Sequence, residues 1–294
     1  VNWNNNDLPG WRPIVPFPAI LQEMRSAGYT STEWDESFGS DIPALNDART
    51  EAGVEFCGAY RWLDFQDPSA FGRDLEEIRP FLEVLAAIEA KHLIVADAMR
   101  PKRIAMAGSV PADGSASLTA SAMDSLIANV VALYDVASQY GLSVHYHNHV
   151  GTFVETPAEV EACANSLKGS PVLLCFDTGH YAFGGGNTVQ FLDTHLDAVG
   201  YIHLKDVDPS VFREARAHKW SFLDSLRRYI FCPLGEGYAD VAGIIRQLVT
   251  GRFTGPVVIE QDTCRGDATE NARANLQAVE RMMRSVGSDR SDRP

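Results

Sequence analysis

Four strand-like runs each finish in an acid or an imidazole: SVHYHNHVGTFVE (143–155), PVLLCFDTGH (171–180), GYIHLKDVD (200–208) and GPVVIEQD (255–262). Residues this far apart in the chain meet only if their strands share a sheet and end on the same side. Such a gathering builds a metal site. The candidate ligands are Glu155, Asp177, His203 and Glu260, with His147 as the alternative to Glu155. Three carboxylates and one imidazole make a hard, oxygen-rich donor set. It suits Mn²⁺, Co²⁺ or Mg²⁺ better than structural zinc, which prefers Cys and His. Carboxylates crowded together without a cation raise one another's pKa, and a divalent ion removes that penalty.

Each ligand also has a plainer reading. Asp177, ahead of Thr-Gly, can cap a helix. His203 has apolar neighbours and can be a hydrogen-bonded core histidine. Glu155 lies on a turn entering a helix, where an acid is commonplace. Glu260 ends an apolar run, where a carboxylate is rarely left unpaired. The set is more specific than any member.

Other residues can crowd the same place. His145, His147 and His149 alternate and so share one strand face. His180 follows Asp177 by three positions, and Lys205 and Asp206 follow His203. Glu33 ends the second strand-like run, and Trp3 and Asn4 the first. Trp3, Trp62 and Trp220 are candidates to stack on the C–H face of a sugar or carbocycle, whereas Tyr60 reads as core packing.

These side chains need elements to position them. Strands are expected near 1–4, 30–34, 54–60, 92–97, 143–148, 172–177, 200–204 and 256–261. Helices are expected near 17–27, 41–52, 68–89, 118–140, 157–168, 188–198, 238–250 and 269–286. In the fourth of these, Leu126, Val130, Leu133 and Ala137 form an apolar face. Eight βα units in series predict a single-domain (β/α)8 TIM barrel over 1–286, with 287–294 as a disordered polar tail. The rival, a doubly wound open sheet, lacks its GxGxxG fingerprint after the first strand. Gly184, Gly185 and Gly186 read as a flexible loop. Segments 98–117 and 206–237 read as long loops on the carboxyl face, where lids and substrate walls lie.

Composition narrows the partners. With 294 residues and 45% hydrophobic content the chain can bury a large core. Its net charge of −14 argues against nucleic acid as the main partner. No stretch reaches the ~18 apolar residues of a membrane span, and no signal peptide is visible. Five scattered cysteines without a CxxC pair suit a reducing cytosol. The expected partner is a small polyol or sugar, in a cytoplasmic protein with scope for homo-oligomerisation.

The chain resembles the xylose-isomerase-like barrel superfamily and, within it, the inosose dehydratase branch. The carrying segments are NWNNNDLPGW (2–11), AGYTSTEW (27–34), YHNHVGTFVET (146–156), LCFDTGHYAFGGG (174–186), YIHLKDVDPSVF (201–212), PLGEGYAD (233–240) and VVIEQD (257–262). The resemblance implies a divalent metal, manganese or cobalt, on Glu155, Asp177, His203 and Glu260. It also implies a metal-dependent lyase of inositol catabolism that dehydrates a keto-inositol through a metal-bound enolate. His147 or Glu155 would act as base, Lys205 or His180 as acid, and Glu260 close to the reacting atoms. Trp3, Asn4, Glu33, Trp62, His149 and Trp220 would contact substrate. The branch often shows three histidines before Met-Gly-Thr, where this chain has His-Asn-His-Val-Gly-Thr. His-Asn-His also occurs in isomerase relatives and in deglycosidases that cleave C-glycosides. An isomerase, an epimerase or such a deglycosidase, using the same enolate, is therefore the alternative.

Overall fold

Parallel strands buried on both faces read as continuous apolar runs, and β3 (His92–Asp97) is buried from Leu93 to its end. The computed structural model describes residues 2–291, with side chains through Val286. Before β3 come β1 (Ser31–Trp34) and β2 (Glu55–Leu63), and after it β4 (Ser143–His147), β5 (Leu173–Asp177) and β6 (Val199–Leu204). β7 (Asp206–Val207) and β8 (Phe231–Cys232) form a small antiparallel ribbon. β9 (Val257–Ile259) then rejoins the main sheet beside β6. The main sheet is seven-stranded, in the order β1-β2-β3-β4-β5-β6-β9, and parallel throughout.

The outer layer comprises α1 (Phe17–Ala27), α2 (Ile42–Ala52), α3 (Pro68–Glu77), α4 (Arg79–Ala87), α5 (Pro101–Ala105), α6 (Ala120–Ala137), α7 (Pro157–Ser166), α8 (Thr178–Phe183), α9 (Thr188–His195), α10 (Pro209–His218), α11 (Phe222–Leu226), α12 (Val241–Thr250) and α13 (Ala268–Ser291). Local sequence explains many of their ends. Asp41, Asp67, Thr119 and Asp208 each cap a helix with a side-chain oxygen, and Thr156 and Glu159 form a reciprocal capping box on α7. Gly28 closes α1 with φ 108°, a conformation that other residues rarely take. The expected face of α6, Leu126, Val130, Leu133 and Ala137, is buried.

The barrel is nearly closed. The strand expected at 1–4 makes no ladder among the described residues. Side-chain bonds take its place: Asn2 Nδ2 donates to the Ala268 carbonyl and Asn5 Nδ2 to the Asp262 carbonyl, both at 2.8 Å. Asparagine is a poor strand former, and its amide offers the backbone other partners. Between β9 and β1 lies a cavity of about 450 Å³, lined on its two sides by Ser31, Thr32, Val257 and Ile259.

Four further expectations are corrected. The segments 98–117 and 206–237 are not plain loops, because they carry α5 and β7–α10–α11–β8 respectively. The tail is helical as far as Ser291, and 292–294 lie outside the described residues. Extending a helix adds one hydrogen bond per residue fixed, and the Glu280–Arg284 pair on its surface favours the extension. The stretch Ala120–Tyr140 is long and apolar enough to cross a membrane by length and composition. Here α6 instead buries one face against β4 and α7. Finally, Gly184 and Gly186 belong to a tight turn. A Cβ on Gly184 would stand 2.2 Å from the Glu155 carbonyl oxygen.

Candidate metal centre

Parallel strands deliver their final residues to one face. β4 ends in His147, β5 in Asp177, β6 carries His203 next to last, and Glu260 follows β9. Pairing sets Asp177 beside His203 and His203 beside Val258. Asn148 locks β4 to β5 by bonding both ways with the Asp177 backbone, at 2.9 and 3.1 Å. One potential ligand atom from each of His147, Asp177, His203 and Glu260 lies within 4.8 Å of the others.

The donor atoms fit a cation. Asp177 Oδ2, His203 Nδ1 and Glu260 Oε2 are buried and have no hydrogen-bond partner. Yet Nδ1 of His203 is 2.8 Å from Glu260 Oε2 and 3.8 Å from Asp177 Oδ2, out of alignment for hydrogen bonds. Buried polar atoms are otherwise satisfied as a rule. Three of them turned to one point form the arrangement that a divalent ion completes. Asp177 is also the helix cap that its sequence suggests, since Oδ1 accepts from the His180 N–H at 2.7 Å. Its two oxygens divide the two tasks. His203 is oriented from behind by Glu33, whose Oε1 lies 2.8 Å from Nε2.

Lys205 stands beside this set, almost fully buried. Its Nζ is 3.1 Å from Asp177 Oδ2, 3.0 Å from Glu260 Oε1 and 3.1 Å from Asp262 Oδ1. Burial disfavours its charge, but Asp177, Asp262 and Glu260 outweigh burial and hold its pKa well above the ordinary lysine value. Glu260 is the mirror case. Burial opposes its ionisation, while Lys205 and His203 hold it well below the usual carboxylate range. Lys205 Nζ is also 3.2 Å from His180 Nε2.

A layer of rings surrounds the centre. His149 packs on His180 with centroids 3.8 Å apart and the rings tilted by 36°, and Phe222 packs against both. His149 Nδ1 donates to the Val150 carbonyl at 2.7 Å, which leaves Nε2 as the acceptor nitrogen. Burial, with the neighbouring charges of His147 and Lys205, pushes the His149 pKa down to about 3. Tyr60 contacts His147 edge-on at 5.7 Å, and Trp62, on the same face of β2, is 59% exposed.

Not every expected residue is here. Glu155 is committed elsewhere: its oxygens accept from the Gly108 and Gly151 N–H groups at 2.8 and 2.9 Å, beside Arg103 at 3.6 Å. His147, at the strand end, lies in the cluster instead. Trp3 packs between α1 and α13, with Nε1 bonded to Glu23. Asn4 clamps the Val15 backbone. Trp220 lies under Arg228 and stacks with His218, while Phe222 is the aromatic residue against the imidazoles. Tyr60 lines the centre rather than the core. Asp206 ties the Gly235, Gly237 and Ala239 N–H groups and holds that turn. Asp262 joins the site beyond the residues expected from sequence: it follows Glu260 by two positions, and in an extended run that spacing shares one face.

The model of the xylose isomerase-like TIM barrel family matches residues 21–284. A Geobacillus kaustophilus protein named inosose dehydratase is 28% identical over 270 residues, covering 89% of this chain and 85% of that one. The rhizopine catabolism protein MocC of Rhizobium meliloti is 29% identical over 293 residues, covering 98% and 88%. The crystal structure of the 3-keto-D-glucoside 4-epimerase YcjR from E. coli superposes with a TM-score of 0.69 at 18% identity, covering 95% and 98%. With a parallel barrel, ligands at its carboxyl face and a family match over nearly its whole length, this chain belongs to the xylose isomerase-like TIM barrel family.

Proposed function

We propose that this chain is a divalent-metal-dependent hydro-lyase that dehydrates a keto-inositol (an inosose). The observation that carries the reading is the convergence of His147, Asp177, His203 and Glu260 beside the charged Lys205. Relatives named inosose dehydratase, similar over most of the chain, support the substrate class. A divalent cation on these four side chains, with Mn²⁺ or Co²⁺ preferred and Mg²⁺ possible, supplies Lewis-acid polarisation of a ketone, which acidifies the neighbouring C–H.

The chain's own residues do the rest. His149 is neutral and offers Nε2 as proton acceptor to that carbon. Lys205, kept charged by three carboxylates, gives a proton to the β-hydroxyl as its C–O bond breaks, so the oxygen leaves as water. One proton is taken from carbon and one is delivered to oxygen, and the product is an enone. His180, whose Nδ1 accepts the Val150 N–H, carries its proton on Nε2, 3.2 Å from the Lys205 ammonium. Tyr60 and Trp62 offer faces to the ring's C–H groups.

The test is ultraviolet detection of enone formation from scyllo-inosose, with Mn²⁺ and after chelation. Turnover that needs the metal supports the reading, and full turnover after chelation defeats it. Conversion of the substrate without loss of water assigns the chain to the isomerase, epimerase or deglycosidase alternative.

A further inference from the structure

The N-terminal segment is anchored beside the candidate centre on both sides of Asp7. Before it, Asn5 Nδ2 bonds the carbonyl of Asp262, whose side chain holds Lys205. After it, Leu8 is buried in the cluster that contains Phe222 and Phe231. Those two rings pack on His180, and Phe231 also lies under the Lys205 ammonium. Asn5 Oδ1 accepts the Asp7 N–H at 2.8 Å and sets the turn. The Asp7 residue keeps solvent access, yet its carboxylate lies within electrostatic reach of Lys205, Glu260 and the Tyr60 hydroxyl. Burial raises its pKa, with Lys205 opposing and Glu260 adding.

The cation acting on Asp7, Lys205, already serves three carboxylates. A ring held with its ketone at the centre would thus meet, at its outer edge, a carboxylate that accepts hydrogen bonds and repels anions.

We propose that Asp7 is a specificity-determining residue: it accepts hydroxyl hydrogens from the outer edge of a neutral polyol ring and rejects carboxylated or phosphorylated rings. This rests on the functional reading above for the placement of the ring, but its test does not need turnover. A hydrogen bond to a charged group contributes about 1.5–3 kcal/mol, or roughly 10- to 100-fold in affinity.

Calorimetry on the Mn²⁺-loaded chain compares neutral rings (scyllo-inosose, myo-inositol) with anionic ones (3-dehydroshikimate, myo-inositol 1-phosphate), for the native chain and for Asp7→Asn. The native chain is expected to prefer neutral rings. Asp7→Asn should lower that preference at least about tenfold, with bound Mn²⁺ unchanged. An unchanged preference in Asp7→Asn overturns the proposal, as does a native chain that binds no ring or favours the anionic ones. A native chain that binds neutral rings but turns over no inosose removes the dehydratase reading and leaves the role of Asp7 standing.

Discussion

Glu33 on β1 and His203 on β6, 170 positions apart in the chain, meet at 2.8 Å, Oε1 to Nε2. Tyr201 OH donates to the same oxygen at 2.9 Å. The contact fixes which imidazole nitrogen faces Asp177 and Glu260. Outer partners of this kind orient a ligand, and their loss typically costs about 10- to 100-fold in metal affinity. Glu33→Ala should weaken Mn²⁺ binding by that range, and Glu33→Gln by less, because an amide oxygen can still accept. Titration calorimetry with Mn²⁺ reads both, and equal affinity in all three chains would remove Glu33 from this role.

Metal should also stabilise the fold. A ligand that binds only the folded chain adds about 2.7 kcal/mol at a hundredfold excess over its Kd. For a chain of this size that raises Tm by several degrees, at roughly 2–4 °C per kcal/mol. Asp177→Asn exchanges a buried carboxylate of the donor set for a neutral amide. It should abolish the Mn²⁺-dependent rise in Tm, as read by differential scanning calorimetry with and without a chelator. A rise that survives the substitution would mean that the ion sits elsewhere.

Much of this centre is legible in the sequence because a parallel strand announces itself twice. HLIVAD and LLCFD are apolar runs, and their last residues must reach one face. Asp177, His203 and Glu260 follow from that rule alone. Glu155 does not, because it lies beyond the strand on a turn, where the Gly151 N–H from the same turn and the Gly108 N–H from a remote one claim it. No local pattern encodes the second partner. His147 was the residue with the strand-end signal. Trp3 and Asn4 lie apart from the cluster for a related reason: the first segment looks like a strand, yet its asparagines bond the backbone at Ala268 and Val15 and its tryptophan fills the space between two helices. Trp220 and Phe222 lie two positions apart, and only the packing of α11 decides which one meets His149 and His180.

The relocated Glu155 has a signature in stability. Burial, only partly opposed by the Gly151 and Gly108 N–H groups and by Arg103, pushes its pKa up to about 7 from 4.5. Between these values the folded chain keeps a proton that the unfolded chain has lost. Stability therefore falls as pH rises from about 4.5 to about 7, and the loss is complete above the folded value. The shift corresponds to a penalty of up to about 3 kcal/mol. Urea unfolding at pH 5 and pH 8 should show a smaller loss for Glu155→Gln than for the native chain. Identical pH slopes would mean that Glu155 is ionised in both states throughout.

Gly179 makes the position of Lys205 testable without touching a charged group. A Cβ at this site would lie 2.4 Å from Lys205 Cβ and 3.0 Å from the Phe231 ring. Neither neighbour yields easily, since the lysine is tied to Asp177, Glu260 and Asp262 and the ring is buried. One added methyl must therefore displace the Lys205 backbone. Overpacking of this kind costs about 1–3 kcal/mol in stability. Gly179→Ala should lower the denaturation midpoint by that amount, and should lower kcat on scyllo-inosose more than it raises KM. A variant with native kcat and lowered stability would show that the lysine can shift without consequence, and would leave the proton on the departing oxygen to another donor.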